Sequence, residues 1–162
     1  MPIKHSQTKK YVFAFLVILQ MIVIFAFSAQ DATLSANTSH GFIRFVAKKI
    51  FSVFTPRQLE TAVEQFDFIV RKMAHFTIYF ILGIFSTLLF GEFTSKPKSI
   101  FRRSVLLCLL YAVSDEIHQY FVPGRACRIM DVTIDTTGGA LASAIIVFVI
   151  LKKAVGKNKK SC

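Results

Sequence analysis

A chain of 162 residues with 54% hydrophobic content, 18 Phe, only 7 Gly and a formal net charge of +11, at a mean hydropathy of +0.55, does not have the composition of an ordinary soluble domain. Hydrophobicity of that level, gathered into long uninterrupted runs, points to spans across a hydrocarbon core about 30 Å thick. The basic surplus does not describe a nucleic-acid-binding face, because the lysines and arginines sit at the ends of apolar runs, and no linker, low-complexity tract or repeat divides residues 1–162 into more than one membrane domain.

Lys4, Lys9 and Lys10 precede an uncharged run from Tyr11 to Ala29, about 28 Å long at the helical rise, which predicts a first span over 11–29. Its basic start is like that of a signal peptide. The run is too long for one, however, and FSAQDATLS offers no clear small-x-small cleavage site, so a retained helix is expected. Segment 39–72 is amphipathic: Phe42, Ile43, Phe45, Val46, Ile50, Val53 and Phe54 recur at helical spacing, with Arg44, Lys48 and Lys49 on the other face. That pattern suits a helix lying in the membrane interface or packed on its own protein. Thr55-Pro56-Arg57-Gln58 supplies an N-cap, a proline at the first helical position and a capping-box partner. The apolar face then continues through Leu59, Val63, Phe66 and Val70, so this helix is expected to run on into a second span, 73–90.

Gly91 to Arg103 reads as a polar turn and 104–122 as the third span, stopped by Pro123-Gly124. About 11 residues, ~16 Å of helix, precede Asp115, which places it beyond the midplane and short of the far surface. A brief loop with Arg125 and Arg128 leads to the fourth span, 132–151, followed by Lys152, Lys153, Lys157, Lys159 and Lys160. Most of the basic residues then fall on the side of the two termini, with Glu92 as the only acid there. The positive-inside rule accordingly predicts cytoplasmic termini in a bacterial plasma membrane. The expected fold is all-α, a polytopic membrane protein with four transmembrane helices and an extracellular amphipathic helical segment between the first two. Cys108 reads as a buried small hydrophobe; Cys127 and Cys162 have no evident partner.

Charged groups at membrane depth are costly and usually face a protein interior, so the run Tyr111–Asp135 is the expected site. Asp115, His118 and Gln119 share one helix face, while Glu116 points about 100° away. Arg71, His75 and Tyr79 share a face of the second span. Asp131 and Asp135 lie at the start of the fourth, where the helix N-terminus favours carboxylates. Plainer roles exist: Asp131 also suits an N-cap, Arg71 and Lys72 interfacial anchors, Tyr79 a packing aromatic, and Asp115, His118 and Asp135 a salt-bridge network with Arg71 and Arg125. Gly138, Gly139, Ala140, Ala142, Ser143 and Ala144 read as a close-packing helix face. For chemistry, His118 or His75 paired with an aspartate suits a general base, with Arg125 and Arg71 on a phosphate. A head-group site without chemistry fits equally well. Two histidines with several carboxylates suit a divalent ion, but the spacing matches no recognised metal motif, so no metal and no cofactor is assigned.

Four stretches carry a resemblance: Phe27-Ser28-Ala29-Gln30, RKMAHFTIYFILG at 71–83, YAVSDEIHQYFVPGR at 111–125 and DVTIDTTGG at 131–139. In order and spacing they resemble the VanZ-like family, small polytopic membrane proteins named after a glycopeptide-resistance accessory protein. The resemblance runs from the first span to about Val149 and is weak over 32–68. It implies an envelope protein that contributes to low-level teicoplanin resistance by means other than remodelling the peptidoglycan stem. Its motif positions here are Arg71, Lys72, His75, Tyr79, Ser114, Asp115, Glu116, His118, Gln119, Arg125, Asp131 and Asp135. The expected function is engagement of a membrane lipid or lipid-linked cell-wall precursor. His118, Asp115, His75 and Asp135 are the candidate catalytic groups, and Arg71, Lys72, Tyr79, Glu116, Gln119, Arg125 and Asp131 the binding groups. The alternatives are a hydrolase or transferase acting on a lipid head group, and a non-catalytic transporter subunit or scaffold.

Overall fold

The computed structural model describes residues 7–50 and 55–159, with side chains over 7–49 and 55–152. Lys4, Val53, Phe54, Lys160 and Cys162, and the side chains of Ile50, Lys153, Lys157 and Lys159, lie outside what is described. The described residues form five helices: α1 Gln7–Ser28, α2 Ala32–Ile50, α3 Pro56–Gly91, α4 Pro97–Tyr120 and α5 Ile129–Lys159. Three of them are long and apolar enough to cross a membrane, at Gln7–Ser28, Pro56–Gly91 and Ile129–Lys152. α4 falls short on composition, since it carries Lys98, Arg102 and Arg103 near one end and Asp115 and Glu116 near the other.

Local signals explain the boundaries. Thr55 closes the capping box with Gln58, and Pro56 follows at the first position of α3. Because nothing then breaks the apolar face, the amphipathic part and the second apolar run form one 36-residue helix. α2 starts earlier than the apolar periodicity suggested, because the Asp31 carboxylate accepts from the Leu34 N–H at 2.7 Å and the Thr33 hydroxyl at 2.6 Å. Those donors hold the Asp31 carboxyl below the usual range. The turn expected over 91–103 is shorter. Pro97, preceded by an extended Lys96, starts α4 well before Ser104, since proline needs no N–H at a helix start.

α3 and α5 run side by side in the same direction, as the pairs Lys72–Asp131, His75–Asp135 and Thr87–Ser143 require. α4 runs back against both, with Ser104 bonded to Ser143 at 2.8 Å. α1 lies beside α3 and α4, tied by Gln20 Nε2 donating to the Ile78 carbonyl (2.9 Å) and the Tyr111 hydroxyl donating to the Met21 carbonyl (2.5 Å). The apolar core, Val17, Ile24, Tyr79, Leu82, Cys108 and Ala112, sits where these helices meet.

Missing side chains make the packing possible. A Cβ on Gly83 would collide with the Gly139 carbonyl oxygen and come within 2.8 Å of the Gly139 Cα. One on Gly138 would reach the Phe76 carbonyl oxygen at 2.5 Å, and one on Gly139 the Cys108 Sγ at 2.6 Å. Small residues let helix backbones approach this closely where lipid gives no hydrophobic drive to associate. Below the seam, Ser86, Thr87, Ser104 and Ser143, all fully buried, close a hydroxyl network that also uses the Gly83 and Gly139 carbonyls.

Gly83→Ala drives a methyl into backbone that cannot rotate away, so a loss of about 1–3 kcal/mol is expected. Gly41 lies in the interior of α2, and a methyl added there would meet nothing within 4 Å among the described residues. Gly41→Ala should therefore be neutral or stabilise by about 0.5–1 kcal/mol. Thermal melts of the two variants in detergent check this; equal melting temperatures would show that the α3–α5 seam carries no such constraint.

Candidate functional site

At the end of the bundle above the seam, the polar groups of α3, α4 and α5 stack in layers one helical turn apart. The outermost layer is Lys72 on α3 with Asp131 on α5, an ion pair between largely buried side chains. Asp131 is not the N-cap of α5, since the helix begins at Ile129; it sits in the first turn, where the helix dipole and Lys72 both favour its charge. One turn deeper, His75 Nδ1 lies 3.5 Å from Asp135 Oδ2. One ligand atom each from His75, Asp115 and Asp135 can be chosen so that all lie within 4.8 Å of one another. Asp115 is 4% exposed and Asp135 is fully buried.

A loop fastens this end. Arg125 N–H donates to the Val122 carbonyl at 3.1 Å, with Pro123 at the second position and Gly124 at φ +73° in the third, the pattern of a type II turn. The turn directs the Arg125 side chain back to the last turn of α1. There Nε donates to the Gln30 carbonyl (3.2 Å), Nη2 to the Phe27 carbonyl (3.4 Å) and Nη1 to Gln119 Oε1 (3.0 Å). A cation satisfying helix C-terminal carbonyls is favoured by the same dipole. Gln119 in turn donates to Asp115 Oδ2 (3.0 Å) and to the Ser28 hydroxyl (3.3 Å). Burial, and next the nearby Arg71 charge, pull the Arg125 pKa below its ordinary value. The guanidinium therefore holds its place through these bonds against its own desolvation.

The remaining predicted residues divide. Tyr79 is fully buried one turn beyond His75. Glu116, 1% exposed, accepts from the Arg128 N–H at 2.7 Å, so it holds the loop. His118 packs its ring on Phe25 with centroids 4.6 Å apart, and His75 rather than His118 meets the two aspartates most closely. Ser114 is exposed and donates to the Tyr111 carbonyl at 2.8 Å. Arg71 pairs with Asp67 at 2.6 Å, and Asp67 also accepts from the Ser39 hydroxyl and lies 3.5 Å from His40. Sequence reasoning passed over Asp67. Its signal was available: it stands four residues before Arg71 on one helix, the spacing of an ion pair.

Two cavities open here. The larger, about 510 Å³, lies between α2 and α3 with walls that include Phe27, Phe42, Ile69, Met73 and Ile78. The smaller, about 120 Å³, is polar and is lined by Lys72, Arg128, Asp131 and Gly124 among others. Arg71, His75 and Arg125 line both.

Among the described residues, the buried side-chain atoms without a hydrogen-bond partner concentrate at this end: His75 Nδ1, the Tyr79 hydroxyl, Glu116 Oε1, His118 Nε2, both Asp135 oxygens and the Thr136 hydroxyl. The Ser86–Thr87–Ser104–Ser143 layer has no member in that set. Buried polar atoms are normally satisfied, and an unsatisfied group within an otherwise bonded interior asks for a cause.

No curated protein and no solved structure matches the chain. A family model described as VanZ/LLP1 matches residues 13–151, a range that takes in most of α1, the Arg125 loop, both cavities and every layer from Lys72–Asp131 to the buried hydroxyls. On a match covering most of its length, the chain belongs to the VanZ/LLP1 family of membrane proteins.

Proposed function

We propose that this is a four-span protein of the bacterial envelope, with both termini in the cytoplasm. Its outer-leaflet site takes an anionic lipid or lipid-linked cell-wall precursor and thereby lowers susceptibility to glycopeptides such as teicoplanin. The observation that carries the lipid reading is the shared lining of the two cavities. An apolar groove of a size typical for ligand sites adjoins a small polar space, with two guanidinium groups and an imidazole at the junction. That is the complement of an amphiphile whose chain lies in the groove and whose phosphate meets Arg71 and Arg125. Arginine suits phosphate because its fork offers paired, charge-assisted hydrogen bonds. Support for a fourth span comes from direction: α3 and α5 are parallel neighbours, each long enough to cross, and α4 returns antiparallel against both.

Native mass spectrometry of the detergent-purified protein with phosphatidylglycerol, undecaprenyl phosphate or neutral phosphatidylcholine tests the site. The anionic species should bind preferentially, and Arg71→Gln should weaken them by about 10-fold or more, the value of a charged hydrogen bond. Equal binding of all three lipids, unchanged by the substitution, would remove the proposal. Orientation is checked at Cys127, which is exposed while Cys108 is buried. In a Cys162→Ser background, a membrane-impermeant maleimide should label intact cells; labelling only after lysis would invert the topology.

A second reading, a hydrolase or transferase acting on the lipid head group, is favoured by His75, which lines both cavities and stands against buried Asp135. The base is then His75, with Asp135 orienting it, rather than His118 with Asp115. Envelope lipids profiled from cells expressing wild type, His75→Gln or no protein separate the readings. A lipid species altered by wild type alone establishes turnover; identical profiles leave binding.

A further inference from the structure

The charges around His75 do not balance internally. Asp115 and Asp135 are buried around His75, with His118 also near Asp115, and the surrounding cations are engaged elsewhere: Lys72 with Asp131, Arg71 with Asp67, and Arg125 with two carbonyls and Gln119. Two carboxylates beside neutral imidazoles carry a net negative charge in an interior where uncompensated ions are expensive. Asp135 shows the deficit most plainly. It is fully buried, and the one group facing its Oδ2 is His75 Nδ1 at 3.5 Å, an ion-pair distance that closes no hydrogen bond, so both Asp135 oxygens and His75 Nδ1 lack a hydrogen-bond partner among the described residues.

We infer that His75, Asp115 and Asp135 bind a divalent transition-metal ion, Zn²⁺ or Mn²⁺, between α3, α4 and α5. Three observations carry this independently of the lipid reading. The first is spacing. Two ligands of a tetrahedral ion with bonds near 2.1 Å lie about 3.4 Å apart, and His75 Nδ1 and Asp135 Oδ2 are 3.5 Å apart. The full triad falls within 4.8 Å, so closing on an ion asks the widest pair to approach by up to about 1.4 Å, within the reach of a side-chain adjustment. The second is charge, since a dication neutralises the two carboxylates and leaves the imidazole neutral, the form in which it is a ligand. The third is support: Gln119 donates to Asp115 Oδ2 at 3.0 Å, as groups behind a metal ligand commonly do to orient it. One nitrogen and two carboxylate ligands suit borderline ions better than Mg²⁺, which prefers oxygen and keeps its waters.

The test uses the full-length protein, untagged and in detergent, stripped with chelator and reloaded with Zn²⁺, Mn²⁺ or Mg²⁺, with retained metal measured by elemental mass spectrometry. About one Zn²⁺ or Mn²⁺ per chain is expected, with a melting temperature that falls on stripping and recovers on reloading. Asp135→Asn and His75→Gln should abolish retention, His40→Ala should keep it, and Gln119→Ala should weaken affinity by about 10-fold. Should the ligand variants fail to fold, Mn²⁺-loaded wild type still decides. Its electron spin-echo signal should carry the ¹⁴N modulation of one imidazole, and absence of that modulation overturns the site. Substoichiometric metal after reloading, or equal retention in folded Asp135→Asn, overturns it as well and assigns the surplus charge to a bound proton. A stripped protein that still binds anionic lipid leaves the lipid site standing, so the two readings fail separately.

Discussion

The close approach of α3 and α5 sets the terms for the rest of the molecule. Gly83 faces Gly139 and Gly138 faces the Phe76 carbonyl with no room for a methyl group. Two parallel helices held at that distance bury whatever side chains flank the contact. On one side these are Ser86, Thr87 and Ser143; on the other they are His75 and Asp135. The seam therefore fixes the polar groups of α3 against those of α5 before either meets α4, and α4 completes both layers with Ser104 and Asp115.

The two layers answer the cost of burial differently. Hydroxyls can donate and accept at once, so four of them and two carbonyls close a network with nothing left over. Carboxylates only accept, and the upper layer brings together too many acceptors and too few donors. A purely structural layer would be expected to resemble the lower one, because an incomplete polar network is worse for stability than an apolar core. The upper layer departs from that rule while the lower one, built on the same two helices about 12–18 Å away, obeys it. The imbalance is thus a property of the site and not of the packing.

Much of this was legible in the sequence. The capping box at Thr55, the continuity of α3 and the stop at Pro123-Gly124 rest on signals confined to four or five residues, and the structure has each of them. The small-residue face of α5 was also readable, because glycine and alanine at helical spacing have few other uses in an apolar run. Partners across helices were not. Spacing put Asp115 and His118 on one face of α4, yet which of them meets α5 depends on helix rotation, which is set by the glycine seam rather than by α4's own pattern. The clamp from Arg125 to the Phe27 and Gln30 carbonyls was hidden for another reason: it ends on backbone, which has no sequence identity. Asp67 was overlooked because it precedes an apolar run rather than standing inside one, where a charge is conspicuous.

The loop end separates charge by depth. Arg71, Lys72, Arg125 and Arg128 lie around the polar cavity, while Asp115, Glu116 and Asp135 are more deeply buried. In a low-dielectric surrounding such a division has consequences, because each group acts on its neighbours over several ångströms with little screening. If the rim existed only to offset the acids beneath it, the arginines would reach down to them. Instead Arg71 turns to Asp67 and Arg125 to carbonyls and Gln119. The basic rim is held in place largely by partners of its own, and two groups link it to the acidic interior: His75, which faces Asp135, and Gln119, which bonds both Arg125 and Asp115. An arrangement of that kind keeps positive potential available at the cavity and negative potential available one turn below it, which is where an anionic head group and a metal ion would each be drawn.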